Sequence, residues 1–250
     1  MSTQLYLPPV SVVKTGKQRP EMWGKSDGFR PDHAANPTEN HFTPRVAVRV
    51  TGYPDMNLKA HAQRDDMKVW LSQAEVQHLL DAAEDTQQRI AFSLGARCGL
   101  RSHEVLDVAP EHVVDTDAGT VLRVWHGKGD QYRETPVPRD LATTIRTIDD
   151  VRDASASSSL VEITSTRSLR RWIQNTADRL QDETDEVGWD HLGFHGLRRT
   201  WATALASADV DALLVCDWGG WSNIETFLDH YRGTYSPEAQ QRERGKVDWL

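Results

Sequence analysis

A single β-hairpin signal inside a long run of helical periodicity is the feature that most limits the fold of this 250-residue chain. Residues 120–126 are β-branched and aromatic, residues 127–130 read Gly-Lys-Gly-Asp, and residues 132–137 return to a strand pattern. On both sides of this hairpin, apolar residues recur at helical spacing between about residue 69 and residue 247. The pattern predicts a mainly α domain with a small antiparallel β-sheet, an α+β fold.

Local end signals divide the helical part into segments. Ser72 and Glu75 match a capping box that begins the first helix, and Gly99 and Pro110 end two later ones. The other helices are predicted over residues 86–96, 101–108, 140–148, 166–182, 195–206 and 210–216, then in a segment that ends at Tyr231, and finally over residues 236–247.

Residues 1–66 contrast with the rest because seven prolines between positions 8 and 54 break any long helix. One short stretch, residues 46–50, alternates in the manner of a strand. We predict an irregular, partly disordered N-terminal arm over residues 1–66 and one domain with a C-terminal helix over residues 67–250.

The net charge of −8 argues, taken alone, against a nucleic-acid partner. The balance is unusual, however, with 22 Arg against 7 Lys and 24 Asp against 13 Glu. This bias is typical of proteins from a very salty cytoplasm, where an acidic surface maintains solubility and says little about the ligand. We therefore predict a halophilic host, and ask whether the basic residues converge on one place.

Several classes of protein are disfavoured by what the sequence lacks. It has no apolar stretch of about 18 residues, which disfavours a transmembrane helix, and its N-terminus does not read as a signal peptide. The two cysteines, Cys98 and Cys216, lie in apolar helical stretches, which favours a reducing cytoplasm. No metal site is predicted, because the spacing of ligands is wrong around His103, His126, His191 and His230.

Five residues have side chains that suit phosphate chemistry. His195 and Arg198 lie three positions apart and are predicted to share a helix face, while Arg101 begins an earlier helix. Lys128 lies at the hairpin tip, and Tyr231 ends an amphipathic segment. Basic groups together with a phenol can bind a phosphate and attack it.

Four motifs in order resemble the catalytic domain of the tyrosine recombinases, the phage integrase family. They read GLRSHE, GKGDQYRETPVP, HGLRRTWAT and GGWSNIETFLDHYRG, and the resemblance covers about residues 69–240. Each motif alone has low specificity, whereas four in the right order with suitable intervals are specific. The resemblance implies a tyrosine-recombinase-like fold and a site-specific recombinase that integrates or excises DNA, as part of a mobile element.

The resemblance also implies a role for each residue. Arg101 and Arg198 would bind the non-bridging oxygens of a DNA phosphate, and Tyr231 would form a 3′-phosphotyrosyl link. His195 would accept the phenolic proton and Lys128 would protonate the leaving 5′-oxygen. Two further residues complete the set, Trp221 as a donor to the phosphate or as core packing, and Glu104 as support. No cofactor, ATP or metal is implied.

Two departures from the family pattern leave alternatives open. Trp221 and Tyr231 are ten positions apart, about one more than usual, so Tyr235 is a second candidate nucleophile. The first 66 residues are too few and too rich in proline for the helical clamp domain that commonly precedes the catalytic domain. They remain either a flexible tail or a DNA-contacting arm that uses Lys14, Lys17, Arg19, Lys25 and Arg30.

The implied partners are double-stranded DNA and other copies of the chain, in a homo-tetramer on DNA, without a membrane or a small-molecule substrate. Two alternative functions share this fold. One is a non-catalytic DNA-binding regulator, and the other is a type IB topoisomerase-like enzyme that relaxes DNA by the same chemistry.

Overall fold

A computed structural model describes residues 56–61, 66–127, 131–231 and 237–249, all within one compact unit of residues 51–250. For residues 229–231 and 237–239, the backbone alone is described. The predicted strand at residues 46–50 and the basic residues of the arm lie outside the described residues. The domain boundary after residue 66 stays a prediction.

Five strands and nine α-helices occur within these described residues. The strands are β1 (Asn57–Ala60), β2 (Met67–Trp70), β3 (Val113–Thr116), β4 (Gly119–Val124) and β5 (Arg133–Pro136). The helices are α1 (Gln73–Asp81), α2 (Thr86–Cys98), α3 (Ser102–Leu106), α4 (Arg139–Val151), α5 (Thr166–Thr184), α6 (Phe194–Ser207), α7 (Ala212–Gly219), α8 (Ile224–Tyr231) and α9 (Pro237–Arg244). Short 3₁₀ turns cover Pro110–His112 and Val187–His191.

Two small antiparallel sheets accompany the helices, which confirms the predicted fold class. The predicted hairpin is present, with Leu122 of β4 opposite Thr135 of β5, and β3 adds an unpredicted third strand on the other side of β4. The second sheet was not predicted either. It joins β1 to β2, so a strand that pairs with the domain lies on the N-terminal side of residue 66.

Local capping chemistry explains where several helices begin and end. The capping box of α1 is confirmed, because the Ser72 hydroxyl accepts from the Glu75 N–H and the Glu75 carboxylate accepts from the Ser72 N–H at 2.6 Å. Helix α7 runs three residues past its predicted end at Cys216, until Gly220 adopts a left-handed conformation with φ of 64°. Helix α3 is shorter than predicted, because Arg101 is extended and serves as its N-cap.

Helices α2 and α6 form the centre of the domain. Leu94 of α2 and Leu197 of α6 are fully buried in the main apolar core. One turn later, Trp201 of α6 enters a second apolar cluster with Val215 of α7 and Phe227 of α8. Helix α6 therefore joins the two clusters, and Arg198 lies between them along the helix.

Candidate active site

Arg101 is placed by the sharp turn that ends α2. Gly99 has φ of +70°, and a Cβ atom there would lie 2.3 Å from the ring of Trp201, so only glycine fits this turn. The guanidinium of Arg101, with 16% of the side chain exposed, donates from Nη2 to the carbonyl of Gly220 at 3.3 Å. The turn thus brings Arg101 from the end of α2 to the end of α7.

Glu104 lies beneath Arg101 with no exposed side-chain surface. Its carboxylate accepts the main-chain N–H of Arg101 at 2.7 Å and Nη1 of the same residue at 2.9 Å. Burial alone would raise the pKa of Glu104, but the hydrogen bonds and charge of Arg133, together with Arg101, outweigh it and hold this pKa at about 2. Glu104 is therefore ionised at neutral pH, and it fixes both the backbone and the side chain of Arg101.

Arg133 is the member of this cluster that sequence reasoning missed. It begins β5, and its Nη1 and Nη2 atoms donate to the two oxygens of Glu104, both at 2.8 Å. Only 5% of the Arg133 side chain is exposed. Strand periodicity carried a signal for it, because Arg133 lies in phase with the buried residues Thr135 and Val137. An arginine on the buried face of a strand requires an acidic partner.

Arg198 is completely buried in the interior of α6. Its Nη1 atom donates to the carbonyl of Gly99 and its Nη2 atom to that of Gly219. The guanidinium carbon lies 4.2 Å from the centroid of the Trp221 ring, which is a cation–π contact. Arg198 thus bridges the turn after α2 and the last residue of α7.

Three consecutive carbonyls at the end of α7 each accept from a different arginine. Trp218 accepts from Nε of Arg133 at 3.0 Å, Gly219 from Arg198 at 2.6 Å, and Gly220 from Arg101. The last carbonyls of a helix have no intrahelical partner and carry the negative end of its dipole, so they attract cations. The C-terminus of α7 thus gathers arginines from the α3 turn, β5 and α6 into one cluster.

Trp221 covers this cluster. Its ring stacks on Trp201 with centroids 6.0 Å apart and contacts Phe227 at 5.3 Å. A Cβ atom at Gly219 would lie 2.1 Å from the Trp221 ring, so the indole needs glycine there to reach Arg198. The structure therefore gives Trp221 the packing role, and its predicted role as a donor to phosphate stays a prediction.

His195 and Arg198 both lie on α6, but their environments differ. His195 is exposed in the first turn of the helix, whereas Arg198 one turn later is buried. The helix is held from the other side by Thr200, whose hydroxyl accepts the N–H of Leu71 at 3.0 Å. His195 thus lies at the surface of α6, whereas the next turn of the helix is buried in the domain.

A cleft of about 470 Å³ opens between the hairpin and the end of α7. Arg101, Gly220 and Trp221 line one side of it, and Gly127 and Gln131 line the other. The N–H of Gly127 donates to the carbonyl of Gln131 at 3.2 Å, which closes the base of the hairpin loop. Lys128 itself lies outside the described residues, and so does any contact that it makes.

Tyr231 is the last residue of α8, and its side chain is outside the described part of the structure. Helix α8 packs against the cluster through Phe227, which is buried against Trp221. The alternative nucleophile, Tyr235, lies outside the described residues. The choice between the two tyrosines stays a prediction.

Within the described residues, no three His, Cys, Asp or Glu side chains are grouped in a way that could hold a metal ion. Among the helices of that same part of the chain, none is long and apolar enough to cross a membrane.

The arrangement suits binding of an oxyanion. The guanidinium groups of Arg101 and Arg198 bind adjacent carbonyl oxygens, with Arg101 lining an open cleft and Arg198 buried behind Trp221. A phosphate oxygen can take the place of a carbonyl oxygen as the acceptor, with a stronger, charge-assisted hydrogen bond. Of the predicted residues, the structure brings Arg101, Glu104, Arg198 and Trp221 into one cluster.

Comparisons with known proteins concern the family and the fold of the chain. The model of the Phage integrase family matches residues 69–236. Tyrosine recombinase XerA of Thermococcus kodakarensis is 28% identical over 181 residues, which make up 71% of this chain and 62% of that protein. The chain thus spans less than two thirds of the length of this curated relative. The organism of the relative gives no support to the predicted halophilic host.

Solved structures share the fold. The crystal structure of XerA recombinase superposes with a TM-score of 0.59 at 20% identity, covering 72% of this chain and 65% of that one. The Tn1549 transposon integrase in complex with a circular intermediate DNA gives a TM-score of 0.54 at 15% identity, over 72% and 66% of the two chains. XerH recombinase bound to a palindromic difH substrate gives 0.52 at 17% identity, over 72% and 52%.

Proposed function

This chain belongs to the phage integrase family, and on that premise we propose that it is a site-specific DNA recombinase of the integrase or excisionase type, acting for a mobile element. The observation that carries the proposal is the convergence of Arg101 and Arg198 on the adjacent carbonyls of Gly220 and Gly219, with Arg101 and Gly220 lining an open cleft. The two arginines come from distant parts of the chain, and in this proposal both bind one phosphodiester.

In this proposal the reaction is a transesterification at phosphorus. The Tyr231 oxygen forms a bond to phosphorus, the bond from phosphorus to the 5′-oxygen breaks, and a 3′-phosphotyrosyl link remains. His195 takes the phenolic proton and Lys128 donates a proton to the 5′-oxygen, so charges balance. Arg101 and Arg198 stabilise the charge on the non-bridging oxygens. The phosphotyrosyl link conserves the bond energy, so neither ATP nor a metal is required.

Burial of Arg198 adds a requirement to this mechanism. With no exposed surface and Trp221 over its guanidinium, Arg198 reaches a phosphate only after the segment Gly219–Trp221 moves. The same observation favours the second candidate, a regulator that binds DNA without cutting it. Homo-tetramer assembly on double-stranded DNA and action in the cytoplasm are further parts of the proposal, which rest on the family.

The test is to trap covalent adducts. The full chain is incubated with a library of nicked DNA duplexes at low and at high salt, denatured, and the attached DNA is sequenced. We expect adducts on a defined sequence from the wild-type chain and from Tyr235→Phe, but none from Tyr231→Phe. Adducts from Tyr231→Phe that disappear in Tyr235→Phe would move the nucleophile to Tyr235.

Other outcomes separate the alternatives. Binding in a gel shift without any adduct would identify a non-catalytic regulator and refute the proposed chemistry. Relaxation of supercoiled plasmid without sequence preference would identify a topoisomerase-like enzyme.

A further inference from the structure

Arg133 contacts three segments that meet at the cleft. It donates to Glu104 on α3 with both Nη atoms and to the carbonyl of Trp218 on α7 with Nε. A Cβ atom at Gly220 would lie 2.9 Å from Arg133 Cδ, and one at Gly127 would lie 3.1 Å from Arg133 Nη1. The side chain thus fills the space between the hairpin loop, the α3 turn and the end of α7.

The charges of the cluster do not cancel. Arg101 and Arg133 carry two positive charges and Glu104 one negative charge, with 16%, 5% and 0% of their side chains exposed. The other charged groups that line the same cleft in the described part of the structure, Glu134 and Asp217, are both acidic. The three residues Arg101, Glu104 and Arg133 therefore carry one surplus positive charge next to the cleft. The buried Arg198 adds a second positive charge, which is the same in all the variants compared below.

The hydrogen bonds indicate that the surplus positive charge lies on Arg101. Arg133 occupies both oxygens of Glu104 and is itself almost fully buried. Arg101 gives a single Nη1 to that carboxylate, and its Nη2 makes only a long bond of 3.3 Å to Gly220. Arg101 is the more exposed of the two arginines and lines the cleft.

We propose that Arg133 is a positioning residue that neutralises Glu104 and so leaves Arg101 a net positive charge for the DNA phosphate. The inference rests on the proposed role of Arg101 as a phosphate ligand. Without Arg133, the charges of Arg101 and Glu104 cancel, and the site loses much of its attraction for an anion at close range.

The test compares variants of the full chain by titration with inorganic phosphate, followed by ³¹P NMR. Arg133→Met is expected to bind phosphate about tenfold more weakly than the wild type, because the net charge of the cluster falls to zero. The double variant Glu104→Gln/Arg133→Met restores a net charge of one, and its affinity should return to within about threefold of wild type. The matched control is Arg123→Met. It removes a partly exposed arginine from the adjacent strand and changes the total charge equally, and its phosphate affinity should stay within about twofold of wild type.

A purely structural role gives a different result. If Arg133 only supports the fold, the double variant binds no more tightly than Arg133→Met, and the inference is overturned. Should Arg133→Met fail to fold by circular dichroism, Arg133→Lys and the double variant decide the matter, since both keep a net charge of one. Tenfold weaker binding by both of them would also overturn the inference.

Phosphate titration and adduct trapping fail independently. If phosphate affinity follows the expected order while wild-type chain forms no adduct with DNA, the role of Arg133 stands and strand transfer is refuted. If adducts form but the phosphate affinities of the variants do not follow the expected order, recombination stands and the role of Arg133 is refuted.

Discussion

Replacement of Glu104 by glutamine is expected to cost about 3 kcal/mol of folding free energy at pH 7. The figure follows from the pKa of Glu104, which is held at about 2 in the fold against an ordinary value of 4.5. Each unit of difference is worth about 1.4 kcal/mol in favour of the ionised form, and glutamine stands in for the neutral form. It would leave the guanidinium groups of Arg101 and Arg133 facing an uncharged amide.

The stabilisation of the fold by the Glu104 carboxylate decreases as the pH falls. Because the carboxylate has a lower pKa in the fold than in the unfolded chain, its stabilisation is complete above about pH 4.5 and is lost as the pH falls towards 2. The difference in unfolding free energy between wild type and Glu104→Gln should therefore shrink from about 3 kcal/mol at pH 7 to about 1 kcal/mol at pH 3. Comparing the two proteins at each pH cancels the titration of other carboxylates.

Urea unfolding, followed by circular dichroism, measures this difference. Glu134→Gln is the matched control. Glu134 on β5 also pairs with an arginine, Arg123 on β4, but the side chains of both residues are more than one third exposed. Glu134→Gln should cost less than about 1 kcal/mol. A cost for Glu104→Gln as small as that of the control, or a cost that does not change between pH 7 and pH 3, would refute the reasoning.

Three further predictions concern the parts that hold the site. Gly99→Ala should destabilise the fold by at least about 2 kcal/mol in urea unfolding, since its φ is positive and its Cβ would meet Trp201 at 2.3 Å. Thr200→Val should cost about 1–3 kcal/mol by the same measurement, because the buried N–H of Leu71 loses its acceptor; an unchanged midpoint would contradict this. Burial raises the pKa of Cys98 to about 12, so its thiol should not react with a disulfide reagent at pH 8 until the chain is unfolded.

Helix positions could be predicted from the sequence where the signal is local. The capping box of Ser72 and Glu75 and the left-handed turn at Gly99 depend on residues a few positions apart, and both lie where the pattern placed them. Strand β3 was missed, because a four-residue strand has a weak pattern of its own and is held by pairing with β4. The same holds for β1, which depends on β2.

Some features of the candidate site could likewise be predicted from the sequence, and others could not. The predicted roles of the arginines come from residue types at motif positions, which a sequence displays directly. The acceptors that hold Arg101 and Arg198 are main-chain carbonyls of Gly219 and Gly220, and a carbonyl is present in every residue. The partner of Arg133 is an acid 29 positions earlier, beyond the reach of any local pattern. Only the three-dimensional structure could identify the carbonyl acceptors and the acidic partner of Arg133.

The sequence separation between the arginines and their carbonyl acceptors determines when, during synthesis on the ribosome, the cluster can form. Arg101 and its carbonyl acceptor are 119 positions apart, and Arg198 and Gly99 are 99 positions apart. At about 5–20 residues per second, a ribosome needs roughly 6–24 s after making Arg101 to reach the acceptor of that side chain. During this interval α2 and α3 can exist without the end of α7, but the cluster cannot. A nascent chain therefore cannot assemble this cluster, and with it the proposed phosphate site, before the end of α7 has been synthesised.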